Sequence, residues 1–124
     1  MQNLDYDKPV VVIDFANNLI RIHKKTILSI GSPDNILLII NPEQLMLGIV
    51  GCKKGICGSH RIRFSKTHCC ELYSKSLVST IKKTFPCWET EKSYRLIGEY
   101  IYKEGIARFD LSASVPLKSD EANM

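Results

Sequence analysis

The amino-acid sequence predicts an α+β protein, mainly β, in the form of a small barrel made of two βαββ halves with one longer helix in the second half. Three observations lead to this prediction. Short apolar runs bounded by turn residues are typical of strands. The order strand, helix, strand, strand occurs over residues 19–50 and again over residues 71–111. One βαββ unit exposes the apolar face of its hairpin, which a second unit in the same chain can cover.

The first half is entered through two predicted strands. Pro9–Ile13 is a run of β-branched residues, which favours a strand with both faces covered. A turn at Asn17 and Asn18 leads into Leu19–His23, an alternating segment whose isoleucines should face the core. These residues predict the beginning of the first βαββ unit.

A short helix and a hairpin complete the first half. Thr26–Ile30 supplies apolar positions for a helix that Gly31 can end in a left-handed conformation. Ile36–Ile40 is continuously apolar, and the chain turns and returns through Leu45–Val50, which predicts a hairpin. Gly48 inside the return strand indicates a bulge or a close approach of another backbone.

The connection between the halves is rich in glycine, cysteine and basic residues. Gly51–Gly58 contains three glycines and is predicted to be a flexible loop. Ser59–Phe64 alternates as a strand does, so the helix that a phosphate-cradling loop requires is missing from the pattern. A nucleotide-binding loop is therefore not favoured here.

Potential zinc ligands are also concentrated in this connection, within nineteen residues. They are Cys52, Cys57, His60, His68, Cys69 and Cys70. Only Cys57 and His60 have the separation expected of paired ligands on a tight turn. Reduced cysteines in small buried spaces are the preferred interpretation, so no cofactor is predicted and zinc binding is left to a metal assay.

A longer helix distinguishes the second half. Shifting the first half by fifty positions places His23–Ser29 over Tyr73–Ser79, where one lysine and one serine coincide. Ser74 can cap this helix, which should end before Pro86. Its apolar face consists of Leu77, Val78, Ile81 and Phe85.

A second hairpin and two polar ends complete the predicted elements. Tyr94–Tyr100 and Ile106–Leu111 are predicted strands, joined by a turn at Lys103–Gly105. Met1–Lys8 and Lys118–Met124 are polar and are expected to be loosely held. The 124 residues suffice for one core, so residues 1–124 are predicted to form a single domain.

Charge is distributed unevenly along the chain. Residues 17–83 carry eleven lysines or arginines and three acidic residues, whereas the two ends together carry six and ten. A basic region of this kind suits a polyanion partner, although a solvated basic face is the alternative. The apolar runs are too short to span a bilayer and no secretion signal opens the chain, so a cytoplasmic protein without membrane contact is expected.

The first half resembles the swapped-hairpin DNA-binding domain of AbrB-type transition-state regulators. The resemblance rests on Ile20–His23, on Gly31 after seven intervening residues, and on the apolar hairpin that follows. The family pattern has a proline at the end of the first strand, Leu-Gly at the end of the helix, and a Gly-Asp type turn. Here His23 replaces the proline, Ile30 precedes Gly31, and Ser32–Asn35 replaces the turn. The match covers about a quarter of the chain.

The resemblance implies a non-enzymatic DNA-binding regulator, as an internally duplicated single-chain version that is a monomer or homodimer. Family members usually carry arginines before the first strand and within the helix, where this sequence has residues 17–19 and 27–28 instead. The DNA contact would therefore be relocated, since a fold does not fix an activity. The hypothesis assigns nucleic-acid contacts to Arg21, Lys24, Lys25, Arg61, Arg63, Lys75, Lys82 and Lys83.

A second hypothesis is a small protein-interaction or inhibitor protein, of phage or mobile-element type, that binds a host protein. It predicts no DNA affinity at physiological salt and recovery of a partner in a pull-down.

Enzymatic activity is not predicted, because no Ser-His-Asp or paired-carboxylate spacing occurs. Pairing Cys57 or Cys69 with His60 or His68 is the remaining catalytic possibility. Trp88, in a polar connector, is the aromatic residue expected to be available for binding, whereas most tyrosines should cover the core.

Overall fold

Two antiparallel sheets dominate the fold. The computed structural model describes residues 8–64, 69–85, 87–89 and 91–117. The strands in these residues are β1 (Val10–Asp14), β2 (Leu19–His23), β3 (Asn35–Asn41), β4 (Met46–Cys52), β5 (His60–Arg61), β6 (Cys69–Tyr73), β7 (Ser93–Ile97), β8 (Glu99–Ile101), β9 (Ile106–Asp110) and β10 (Val115–Pro116). The helices are α1 (Lys24–Ser29) and α2 (Lys75–Thr84), and a 3₁₀ turn spans Leu111–Ala113. A mostly β protein with a longer second helix is thereby confirmed.

Each sheet contains strands from both halves of the chain. The first sheet has the order β10-β7-β1-β2-β6 and the second has the order β5-β3-β4-β9-β8. The strands that open the two halves, β2 and β6, pair around Arg21 and Glu71. The strands that close them, β4 and β9, pair around Gly48 and Arg108. The strand that precedes each half pairs with a strand of the other half. β1 precedes the first half and pairs with β7 of the second, and β5 precedes the second half and pairs with β3 of the first.

The two sheets are connected by backbone at Gly98 and at Phe64. Gly98 separates β7, in the first sheet, from β8, in the second, and its amide donates a 2.9 Å hydrogen bond to the carbonyl oxygen of Pro9. Phe64 forms an isolated antiparallel bridge with Cys70 of β6, three residues after the end of β5. Closure of the sheets into one barrel stays a prediction.

The helix boundaries follow the local signals in the sequence. Gly31 has φ +99°, and the amides of Gly31 and Ser32 donate to the carbonyls of Leu28 and Ile27 at 3.2 and 3.1 Å. This is a Schellman ending. The Ser74 hydroxyl accepts a 3.2 Å hydrogen bond from the Leu77 amide, so the predicted cap of α2 is confirmed.

Several glycine and strand predictions need correction. Gly48 lies in an unbroken ladder, where an added Cβ would meet atoms no closer than 3.8 Å, so it forms neither a bulge nor a close approach. Close approaches occur instead at Gly98 and at Gly51, which lies in β4 rather than in a loop and where a Cβ would lie 2.8 Å from Cβ of Pro33. The predicted strand Ser59–Phe64 is reduced to β5, and the predicted strand Tyr94–Tyr100 is divided at Gly98. The predictions for residues 1–7 and 118–124 lie outside the described residues.

The core lies between the inner faces of the sheets and the two helices. Ile20 and Ile22 of β2 are fully buried as predicted, but Leu19 on the other side of the strand is also buried. The opposite face of β2 is therefore covered at its beginning. The remaining fully buried large side chains are Ile13, Ile27, Ile36, Leu47, Ile49, Ile81, Leu96, Phe109 and Leu111.

Candidate nucleic-acid interface

Arg21 is held by an ion pair within the first sheet. Its Nε lies 3.2 Å from Oε2 of Glu71, its direct neighbour on the paired strand β6. The Arg21 side chain is only 16% exposed. Because a carboxylate already compensates this guanidinium, the geometry favours other basic residues for contacts with a polyanion.

The exposed residues Lys24 and Phe64 meet at the beginning of α1. The Nζ atom of Lys24 lies 5.5 Å from the centre of the Phe64 ring, within the range of a cation–π contact. Phe64 is 41% exposed and follows Arg63, which is exposed as well. Lys25 lies beside Lys24 on α1 and is also exposed. A cation and an aromatic face are thus presented together.

Arg61 and Lys54 line one cavity of about 430 Å³ with Asp34, Asn35 and Ile62. The amide of Ile62 donates a 2.8 Å hydrogen bond to the carbonyl oxygen of Asp34, which fixes the segment after β5 against the beginning of β3. We define the basic surface as Lys24, Lys25, Lys54, Arg61, Arg63 and Phe64. Lys54 was not among the predicted site residues, because only the pairing of β5 and β4 with β3 brings it near Arg61.

The predicted residues Lys75, Lys82 and Lys83 lie on α2. The two helices begin at opposite ends of the β2–β6 pair, since His23 is opposite Cys69 and Leu19 is opposite Tyr73. Lys82 and Lys83 are in the last turn of α2, where cations also stabilise the helix dipole. A structural role therefore accounts for two of these lysines without a ligand.

The cysteines are thiols in different environments. Cys69 and Cys70 are buried, Cys52 is half-buried, and Cys57 and Cys87 are exposed. The part of the chain that the structure describes contains no cluster of three or more potential metal ligands, and His68 lies outside it. Zinc binding by these residues stays a question for the metal assay.

Burial raises the pKa of the Cys70 thiol above the ordinary value of 9.0. A hydrogen bond from the Arg63 backbone opposes this change, whereas the nearby Cys69 and Glu71 raise the pKa further. The folded state then binds the Cys70 proton more tightly than the unfolded chain does. This contribution to stability is complete below the ordinary thiol pKa of 9.0 and is lost as the pH rises through that value toward the raised folded pKa.

We therefore expect Cys70→Ala to reduce the decline in stability at alkaline pH. The free energy of unfolding, measured by urea denaturation at about pH 8 and about pH 10, should fall less in this variant than in the parent protein. Cys57→Ala, at an exposed position, is the control and should keep the decline of the parent protein. Equal declines in the Cys70→Ala variant and the parent protein would contradict this assignment.

Trp88 is buried, so the prediction that it is available for binding is wrong. It is 4% exposed, and its ring centre lies 5.2, 5.3 and 4.7 Å from those of Phe15, Phe85 and Tyr94. The polar residues around Trp88 in the sequence gave no sign of this cluster, which Phe15 joins from a distant part of the chain. The exposed aromatic side chains include instead Tyr73 and Tyr102, at 70% and 73%.

No helix within the described residues is long and apolar enough to span a membrane. Comparison with known proteins gives no match among family models, curated proteins or solved structures. The AbrB-type resemblance therefore rests on the residues of this chain alone.

Proposed function

We propose that this protein is a non-enzymatic DNA-binding protein, a single-chain counterpart of AbrB-type regulators. The observation that carries the proposal is the basic surface, in which Lys24 lies over exposed Phe64 while Arg61 and Lys54 share a cavity. Lysine and arginine side chains bind phosphates and release counterions from DNA. Exposed aromatic faces add contacts to bases.

The strand pairing supports the duplicated architecture of the proposal. The opening strands β2 and β6 pair with each other, and so do the closing strands β4 and β9. β1, which precedes the first half, pairs with β7 of the second half, and β5, which precedes the second half, pairs with β3 of the first. Such matching pairings are expected of two similar units related by an approximate two-fold axis. We infer that residues 19–50 and 71–111 are the two units, closed into a small barrel through Gly98 and the Phe64 bridge.

DNA binding is tested by fluorescence anisotropy with labelled duplex and single-stranded DNA over a range of salt concentrations. The double variant Lys24→Glu, Lys25→Glu should bind at least about tenfold more weakly than the parent protein. Losing two phosphate contacts should also reduce the slope of log affinity against log salt by about 1 to 2. Both effects follow from the loss of released counterions.

Lys103→Glu is the matched control. Lys103 is exposed in the turn after β8, and β8 and β5 are the opposite edges of the second sheet. This charge reversal should change affinity by less than about twofold if the basic surface binds DNA. Lys103→Glu changes the net charge half as much as the double variant does, so a loss of log affinity half as large would mean that net charge alone governs binding. Absence of DNA affinity at physiological salt, with recovery of a host protein in a pull-down, would favour the inhibitor hypothesis instead.

A further inference from the structure

Asn35 is a buried polar residue inside the cavity of the basic surface. It is 8% exposed and it lines the cavity. A side-chain amide can both donate and accept hydrogen bonds, so at the wall of a cavity it is suited to bind a polar group of a ligand. The cavity of about 430 Å³ has the size of a site for a small organic molecule.

Strand register explains the arrangement of the cavity. Asn35 is the direct neighbour of Cys52 on β4 and of Arg61 on β5, and directly opposed residues project from the same face of a sheet. Lys54 follows Cys52 by two residues, beyond the end of β4. Asp34, Lys54 and Arg61 are exposed whereas Asn35 is buried, so the amide lies deep and the charged groups surround the opening.

We propose that this cavity binds one unpaired nucleotide of a DNA strand. The inference rests on the proposed DNA binding and narrows its partner to single-stranded or locally opened DNA. Lys54 and Arg61 bind the phosphate, and Asn35 and Asp34 bind the edge of the base. Phe64, three residues beyond Arg61, offers an aromatic face to the adjacent base.

The mixture of groups is what distinguishes a nucleotide from a simple anion. A phosphate alone is satisfied by Arg61 and Lys54, and it is repelled by the carboxylate of Asp34. A base with an exocyclic amine donates to that carboxylate, while the Asn35 amide can both donate and accept, as adenine requires. Thymine has no exocyclic amine. A base within a duplex already uses its pairing edge, so the nucleotide that enters the cavity is unpaired.

The test compares the affinities of labelled oligo(dA), oligo(dT) and mixed duplex for the full chain. We expect oligo(dA) to bind about tenfold more tightly than oligo(dT), the discrimination typical of paired amide and carboxylate contacts. Asp34→Ala and Asn35→Leu should each reduce this ratio to about one, since they remove the groups that contact the amine. Arg61→Ala should weaken both oligonucleotides equally and reduce the salt slope by about 0.7.

Lys53→Ala is the matched control for Lys54→Ala, because Lys53 is exposed and adjacent but does not line the cavity. Only Lys54→Ala should weaken binding of single strands. Asp34 and Arg61 are exposed, so their variants keep the test decisive if Asn35→Leu does not fold.

Titration with deoxyadenosine 5′-monophosphate separates the two sources of the nucleotide. Binding of the free nucleotide as tight as that of oligo(dA) overturns the assignment to a DNA strand and makes the cavity a mononucleotide site. Equal affinities for oligo(dA) and oligo(dT), or an unchanged ratio in Asp34→Ala, overturn the inference while DNA binding itself stands. Absence of binding to every DNA overturns the proposed function together with it.

Discussion

Gly98→Ala is expected to lower the free energy of unfolding by about 3 kcal/mol or more. A Cβ atom at this position would overlap the carbonyl oxygen of Arg108 and would lie 2.7 Å from Cδ2 of Phe109. Neither neighbour can move easily, because Arg108 is paired with Glu99 in the β8–β9 ladder and Phe109 is 1% exposed. The new methyl group therefore forces the backbone apart where the chain passes between sheets.

Urea denaturation followed by far-UV circular dichroism measures this loss, and Gly48→Ala is the matched control. Gly48 also lies in a strand, but its added Cβ would meet Ile106 and Ile39 at 3.8 Å, an ordinary contact distance. Its free energy of unfolding should change by less than about 1 kcal/mol. A loss of similar size in both variants would show that the close approach at Gly98 is not the cause.

Elements with a local signal could be predicted from the sequence. The hydroxyl of Ser74 and the left-handed preference of Gly31 determine helix ends through atoms a few residues away. The turn before β2 is similar, since Asp14 accepts hydrogen bonds from the amide and side chain of Asn17. Such signals are contained in short segments, so the order of elements followed from the sequence.

Strand partners could not be predicted, because they depend on contacts between distant residues. Nothing near β1 indicates that it pairs with β7 rather than only with β2. Gly98 follows an alternating segment and carries no turn signal, although Arg108 and Phe109 require a glycine there. The close approach that the sequence predicts at Gly48 lies at Gly51 for the same reason. The neighbour that makes Gly51 crowded is Pro33, which is distant from it in sequence.

The candidate site shows the same division. The sequence identifies Arg21 and Arg61 equally as basic residues, but the structure separates their roles. The β2–β6 register places Glu71 against Arg21, fifty positions away, and leaves Arg61 exposed at an edge strand. Lys54 joins Arg61 only because both adjacent strands pair with β3 at Asn35. The charge distribution along the sequence predicts a basic region. The pairing register of the strands determines which of its basic side chains lie close together.

Trp88→Ala should lower the free energy of unfolding by about 3–5 kcal/mol. The indole ring lies at the centre of an aromatic cluster, tilted or edge-on to Phe15, Phe85 and Tyr94. Removing it leaves a cavity that three rings can fill only partly. Trp88→Phe should cost only about 1–2 kcal/mol, because it keeps an aromatic ring and removes a buried indole N–H. That N–H has no hydrogen-bond partner within the described residues.

The same pair of variants separates a core role from a binding role. Trp88 is the chain's single tryptophan, so its emission should be that of a buried indole and should not be quenched by added DNA. At a temperature where Trp88→Phe is folded, its DNA affinity should agree with that of the parent protein within about twofold. Loss of DNA binding in a stable Trp88→Phe variant would instead place the indole at the interface, and the burial of this residue beneath Phe15 and Tyr94 argues against that result.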